Sequence, residues 1–163
     1  MKKYLFALLA LFLMACSSDK KVQTVQLEGF IFGTTYHITF LNTSPLTYQK
    51  EIDSLFYLIN KSLSTYIPAS DISKINSGDS TVIVDDLFIE VFQKSKRIFN
   101  ETEGFFDPTV GSLVNAWGFG PNEAKKEMDS LEVHKMMQFV GFEKVLLKKN
   151  TIVKQYKETF IDF

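Results

Sequence analysis

The chain has 163 residues, 45% of them hydrophobic, with 16 phenylalanines, one cysteine and a formal net charge of −1 at pH 7. So small a charge gives no basic field to attract nucleic acid, and beyond the amino terminus no apolar run is long enough to cross a bilayer. The composition suits a globular domain with a real core in about 140 residues after processing.

The amino terminus reads as a targeting segment. Lys2 and Lys3 precede an apolar run at 4–13, and Leu13-Met14-Ala15-Cys16 is followed at once by Ser17-Ser18-Asp19-Lys20-Lys21. This is the pattern of a signal peptide ending in a lipoprotein cleavage box, with Cys16 acylated as the first mature residue. As the only cysteine, Cys16 has no disulfide partner, which suits a lipid anchor in an oxidising compartment. The expected organisation is a signal peptide at 1–15, the acylated cysteine and a tether at 16–24, and a folded portion at 25–163. The protein is expected on a membrane surface, facing the periplasm or the cell exterior.

In the folded portion, Val25, Leu27 and Phe30 lead into Thr34-Thr35-Tyr36-His37-Ile38-Thr39-Phe40, whose alternation predicts a half-buried strand. Gly33 between the two stretches suggests a bulge or a close backbone approach. From Thr47 the period changes, and Ile52, Leu55, Phe56, Ile59 and Leu63 form a helical stripe ending near Ser64. Asp85-Asp86 opens a second helix carrying Leu87, Val91, Phe92, Ile98 and Phe99, with its acids at the favourable end of the dipole. A third is expected at 130–140 with Gly141 as its carboxy-terminal cap. A hairpin follows, 144–148 turning through Lys149-Asn150 into 151–154. Phe160-Ile161-Asp162-Phe163 reads as the start of a buried strand, so the sequence is expected to be the front part of a longer domain. Strands and helices in no regular alternation predict an α+β fold rather than a doubly wound one.

Several familiar sites are absent from the sequence. There is no glycine-rich phosphate loop and no dinucleotide fingerprint in strand-to-helix order. His37 and His134 stand far apart without clustered carboxylates at ligand spacing, which argues against zinc, and both are expected on polar faces. No Ser-His-Asp arrangement can be drawn. The distinctive stretch is instead Gly104-Phe105-Phe106-Asp107-Pro108-Thr109, followed by Gly111-Ser112-Leu113-Val114-Asn115-Ala116-Trp117-Gly118-Phe119-Gly120. It holds the only tryptophan and four of the eight glycines. Loops bearing aromatics, hydroxyls and single carboxylates suit a cleft for a large flat ligand.

These loops resemble the FAD:protein FMN transferases, the ApbE family, formerly called thiamine-biosynthesis lipoproteins. The matching segments are Phe32-Gly33-Thr34-Thr35-Tyr36, Ser64-Thr65-Tyr66, Ser70-Asp71-Ile72-Ser73-Lys74-Ile75-Asn76, the Gly104 to Thr109 run, and Leu113 to Gly120. The resemblance implies an ApbE-like fold, a mixed sheet with flanking helices, incomplete at its carboxy terminus. It implies a transferase that takes FAD as substrate and, with Mg²⁺, places FMN on a threonine of an extracytoplasmic redox partner protein, releasing AMP. FAD contacts carry over to Phe32, where the family often has Met, and to Tyr66, Phe105, Phe106 and Asp107. Asp71 stands where the family usually has Glu. Trp117 is read as a packing anchor that shapes the cleft. The lysine-bearing segment and the Mg²⁺ ligands are expected beyond Phe163, so no catalytic residue is assigned within the chain, and the polypeptide is expected to be inactive alone. Two other readings stay open: a lipid-anchored FAD-binding or flavin-scavenging protein without transfer, and a surface lipoprotein that binds another protein and no flavin.

Overall fold

The computed structural model describes residues 21–44, 47–120 and 128–163, in two compact units, Met1–Gln49 and Lys50–Phe163. The signal peptide expected at 1–15 and Cys16 lie outside the described residues.

The first unit is a β-hairpin. Strand β1 (Gln23–Ile31) pairs antiparallel with β2 (Thr34–Asn42), in register from Gln23 opposite Asn42 to Ile31 opposite Thr34. Phe32 and Gly33 form the two-residue loop, with φ of 52° and 75°, the positive pair that matches the right-handed twist of the strands. Gly33 is therefore neither a bulge nor a close approach; a Cβ built on it meets nothing within 4 Å. Gln49 Nε2 donates to the Tyr36 hydroxyl at 3.0 Å, and the Phe40 and Tyr48 rings lie 5.6 Å apart.

The remaining elements are α1 (Gln49–Leu63), α2 (Asp71–Asn76), α3 (Asp86–Glu101), α4 (Gly111–Ala116), α5 (Ser130–Met137), a 3₁₀ turn at Phe142–Lys144, and the strands β3 (Val145–Lys148) and β4 (Thr151–Lys154). The fold is α+β. Asp85 starts α3 as anticipated: its Oδ1 accepts from Phe88 N at 2.9 Å and from the hydroxyl of buried Ser62 at 2.9 Å. Strands β3 and β4 pair antiparallel across Lys149-Asn150, with Lys149 at φ 55°.

The core of the second unit joins Ile72 and Ile75 of α2, Val84 just before α3, Phe88 and Phe92 within α3, Phe142, Val145 of β3, Ile152 of β4, and Ile161. Its centre is aromatic. The Phe142 ring lies 4.9 Å from Phe92, 5.9 Å from Phe99 and 6.4 Å from Phe163, edge against face, and Lys96 Nζ stands 5.0 Å over it.

Two sequence expectations change here. The third helix stops at Met137, and Gly141, at φ 138°, opens the 3₁₀ turn instead of capping that helix. Residues 160–163 form no ladder; Phe160 makes one parallel bridge to Val110, and Asp162 N donates to Pro108 O at 2.8 Å. The α1 stripe is only partly buried, with Leu55 open to solvent.

Candidate functional site

Three segments of the second unit meet here, and the first and third of them line one groove. The first is the connection from α1 to α2. Ser64 O accepts from the hydroxyls of Ser70 at 2.6 Å and Ser73 at 3.1 Å, while Ser70 Oγ caps α2 by accepting from Ser73 N at 3.1 Å. This hydroxyl knot, centred on the buried Ser70, closes the loop and leaves Tyr66 at its outer edge, 64% exposed. Asp71, in the first turn of α2, pairs with Lys74 at 3.6 Å.

The second segment follows α3. Thr102 Oγ1 accepts from Phe106 N at 3.1 Å, and Gly104 N donates to Phe99 O at 2.9 Å, which turns the chain out of the helix. Phe105 is 96% exposed and Phe106 38%, so neither is a core residue. Asp107 Oδ1 accepts from Thr109 N at 2.8 Å and from Thr109 Oγ1 at 2.6 Å. Pro108 holds Asp107 extended. Farther along, Phe119 O accepts from the Tyr66 hydroxyl at 3.3 Å, joining the two loops. Trp117, expected as a packing anchor, is 52% exposed at the end of α4 and stands outside the core cluster of the described residues.

The third segment, 159–162, is clamped from both sides. Asn76 Nδ2 donates to Ile161 O at 2.8 Å, and Ile161 N donates back to Asn76 Oδ1 at 2.9 Å. Gly111 permits the close approach of Phe160: a Cβ there would sit 2.5 Å from Phe160 Cδ1. The open groove between these parts has a volume of about 570 Å³ and is lined by Thr65, Tyr66, Pro68, Ser73, Asn76, Ser77 and Phe160. Beside it, the Asp162 carboxylate accepts from Thr65 Oγ1 at 3.3 Å. Burial pushes this carboxyl above its ordinary value, an effect the Thr65 hydroxyl partly offsets. Sequence reasoning passed over Asp162; the signal was a lone acid inside an apolar run.

The other candidates fall elsewhere. Phe32 belongs to the hairpin of the first unit and is half-exposed at its tip. His37 is exposed beside Glu28, 3.5 Å away, and His134 is exposed on α5. Among the described residues, no three His, Cys, Asp or Glu side chains stand together as metal ligands.

The ApbE family model matches residues 32–163. The chain belongs to the ApbE family. Among curated relatives, an FAD:protein FMN transferase of Vibrio cholerae is 34% identical over 99% of this chain and 50% of its own length. One of Haemophilus influenzae is 30% identical over 94% of this chain and 48% of its own length. Among solved structures, the flavin transferase ApbE from Vibrio cholerae superposes with a TM-score of 0.80 at 33% identity, covering 87% of this chain and 48% of that one. The chain thus spans about half the length of the ApbE proteins it matches.

Proposed function

We propose that this chain supplies the amino-terminal part of an FAD:protein FMN transferase that flavinylates a threonine of a partner protein outside the cytoplasm. The observation that carries the reading is the extent of the family match: residues 32–163 take in all five candidate FAD contacts, Phe32, Tyr66, Phe105, Phe106 and Asp107. The exposed faces of Tyr66 and Phe105 offer flat apolar surface to an isoalloxazine or adenine ring. Asp107 keeps one carboxylate oxygen turned from Thr109 for a ring N–H or a ribose hydroxyl.

The reaction is a displacement at phosphorus. The acceptor threonine oxygen bonds to the phosphorus of the FMN half, the bond to the AMP oxygen breaks, AMP leaves with the electron pair, and the hydroxyl proton passes to solvent. Little covalent work falls to the protein, so rate depends on positioning and charge stabilisation. Mg²⁺, implied by the resemblance, would supply counter-charge to the pyrophosphate. The described residues do not fit a site for it, and none is assigned as a ligand.

The deciding experiment incubates the protein, extended to the length of its relatives, with FAD, Mg²⁺ and a threonine-bearing acceptor, and follows the acceptor by mass spectrometry. The expected result is covalent FMN and free AMP. Tight FAD binding without transfer would favour a flavin scavenger, and no flavin binding would leave a surface lipoprotein. In the same protein, Tyr66→Ala is expected to weaken FAD binding about fivefold or more, for the loss of about 1 kcal/mol of aromatic contact, read by titration calorimetry. Unchanged affinity removes Tyr66 from the site.

Membrane attachment through Cys16 is part of the same proposal, supported by the cleavage box in the sequence. Cys16→Ala is expected to move the protein from the membrane fraction to the soluble fraction, because the acyl chains are the anchor. Sedimentation with membranes in both low and high salt would show another attachment.

A further inference from the structure

We infer that Thr109 is a positioning residue for flavin recognition, fixing the Asp107 carboxylate and tying its loop to the turn at Gly141; the inference rests on the FAD reading above. Thr109 is fully buried, so no solvent competes for its groups. Its hydroxyl has two partners. Gly141 N donates to Thr109 Oγ1 at 2.7 Å, and Thr109 Oγ1 lies 2.6 Å from Asp107 Oδ1. A backbone N–H can only donate, so the oxygen's lone pair is taken there, and the hydroxyl proton points at the carboxylate.

The Thr109 N–H reaches the same Oδ1 at 2.8 Å. Two donors on one oxygen fix the plane of the carboxylate and leave Oδ2 to face a ligand. On the other side Pro108 holds Asp107 extended, and its carbonyl accepts from Asp162 N at 2.8 Å. The carboxylate is thereby set before any ligand arrives, which removes an ordering cost from binding. The Gly141 contact has a second consequence. Gly141 precedes Phe142 at the centre of the aromatic core, so Thr109 couples an exposed loop to the buried core of the unit.

The test compares Thr109→Val, which keeps the shape and loses the hydroxyl, with Thr109→Ser, which keeps the hydroxyl and loses a methyl, in the protein extended to its relatives' length. FAD affinity is measured by calorimetry at a temperature where melting curves show each variant folded. Thr109→Val is expected to weaken FAD binding about tenfold, and Thr109→Ser to restore most of that loss. Combining Thr109→Val with Asp107→Ala should bind FAD no more weakly than Asp107→Ala alone, since the hydroxyl reaches the ligand through that carboxylate and its bond to Gly141 is read separately by amide exchange. Amide exchange at Gly141 should speed up in Thr109→Val and not in Thr109→Ser. Wild-type affinity in Thr109→Val, or losses that add in the double variant, would overturn the inference while leaving the FAD reading intact. A wild-type protein that binds no FAD would overturn both.

Discussion

Phe142→Ala is expected to lower the unfolding free energy by about 3–5 kcal/mol, the range for emptying a fully buried aromatic site. The ring is fully buried and meets Phe92 at 4.9 Å, Phe99 at 5.9 Å and Phe163 at 6.4 Å, so its removal breaks three aromatic contacts at once. Lys96 loses the ring beneath its ammonium, 5.0 Å from the centroid, although the bond its ammonium donates to the Phe142 backbone carbonyl at 2.9 Å does not use the ring and survives. These contacts come from α3, the 3₁₀ turn and the final residues, so the cavity lies where three segments meet and cannot close by moving one of them. Urea unfolding should show a lower midpoint with an unchanged slope. Phe142→Leu should recover part of the loss by refilling volume. A loss below about 1 kcal/mol for the alanine variant would mean that the core collapses around the gap and that Phe142 is not its centre.

Much of this architecture was legible in the sequence because it rests on local signals. The apolar stripe at 52–63 and the Asp85 cap need only a period and a short side chain; the first helix starts and stops near its expected ends, and the second starts at its expected cap. The 145–154 hairpin likewise follows from two short apolar runs around Lys149-Asn150. The misreadings have tertiary causes. Phe32 is not a usual residue for positive φ, so the loop at Phe32-Gly33 lacked the sequence signal of a two-residue turn. Gly141 was read as a cap, but its N–H is engaged by Thr109, 32 residues earlier. Phe160 forms a bridge to Val110 and not a ladder.

The candidates found from sequence stand in loops distinctive in themselves: Tyr66 lines the groove, and Phe105, Phe106 and Asp107 lie on the loop after α3. Composition could not say whether the two phenylalanines were core, and exposure answers it for Phe105. Trp117 went the other way, because a lone tryptophan in a glycine-rich run gives no period from which to read its face. Thr109, Asn76 and Asp162 were missed as site-building residues. Their bonds reach across large separations, 85 residues for Asn76 and Ile161, 97 for Thr65 and Asp162 and 32 for Gly141 and Thr109, so these partners cannot be read from local sequence.

That separation makes Asn76→Ala the second large expected effect. The Asn76 amide pairs with both backbone groups of Ile161, as a neighbouring strand would, at 2.8 and 2.9 Å. Ile161 is fully buried, so alanine leaves an N–H and a C=O without partners or water. At about 1–3 kcal/mol for each unpaired group, the expected loss for the two is about 2–6 kcal/mol. A purely structural defect would stop there, but the next residue carries the site's raised carboxyl. Burial holds Asp162 above its ordinary value of 3.8, so the folded state binds a proton more tightly than the unfolded one. The stability this contributes is fully present below the unfolded value and is lost as pH rises through the raised folded value. Once the clamp is gone, residues 160–162 can move toward water, the carboxyl should titrate nearer its ordinary range, and this part of the pH dependence should flatten. Carbon NMR of the Asp162 carboxyl, with urea unfolding across the acid range, reads both effects on one pair of proteins. If Asp162 titrates identically in wild type and Asn76→Ala, Thr65 and the Pro108 carbonyl hold the segment by themselves, and Asn76 serves the core without shaping the groove.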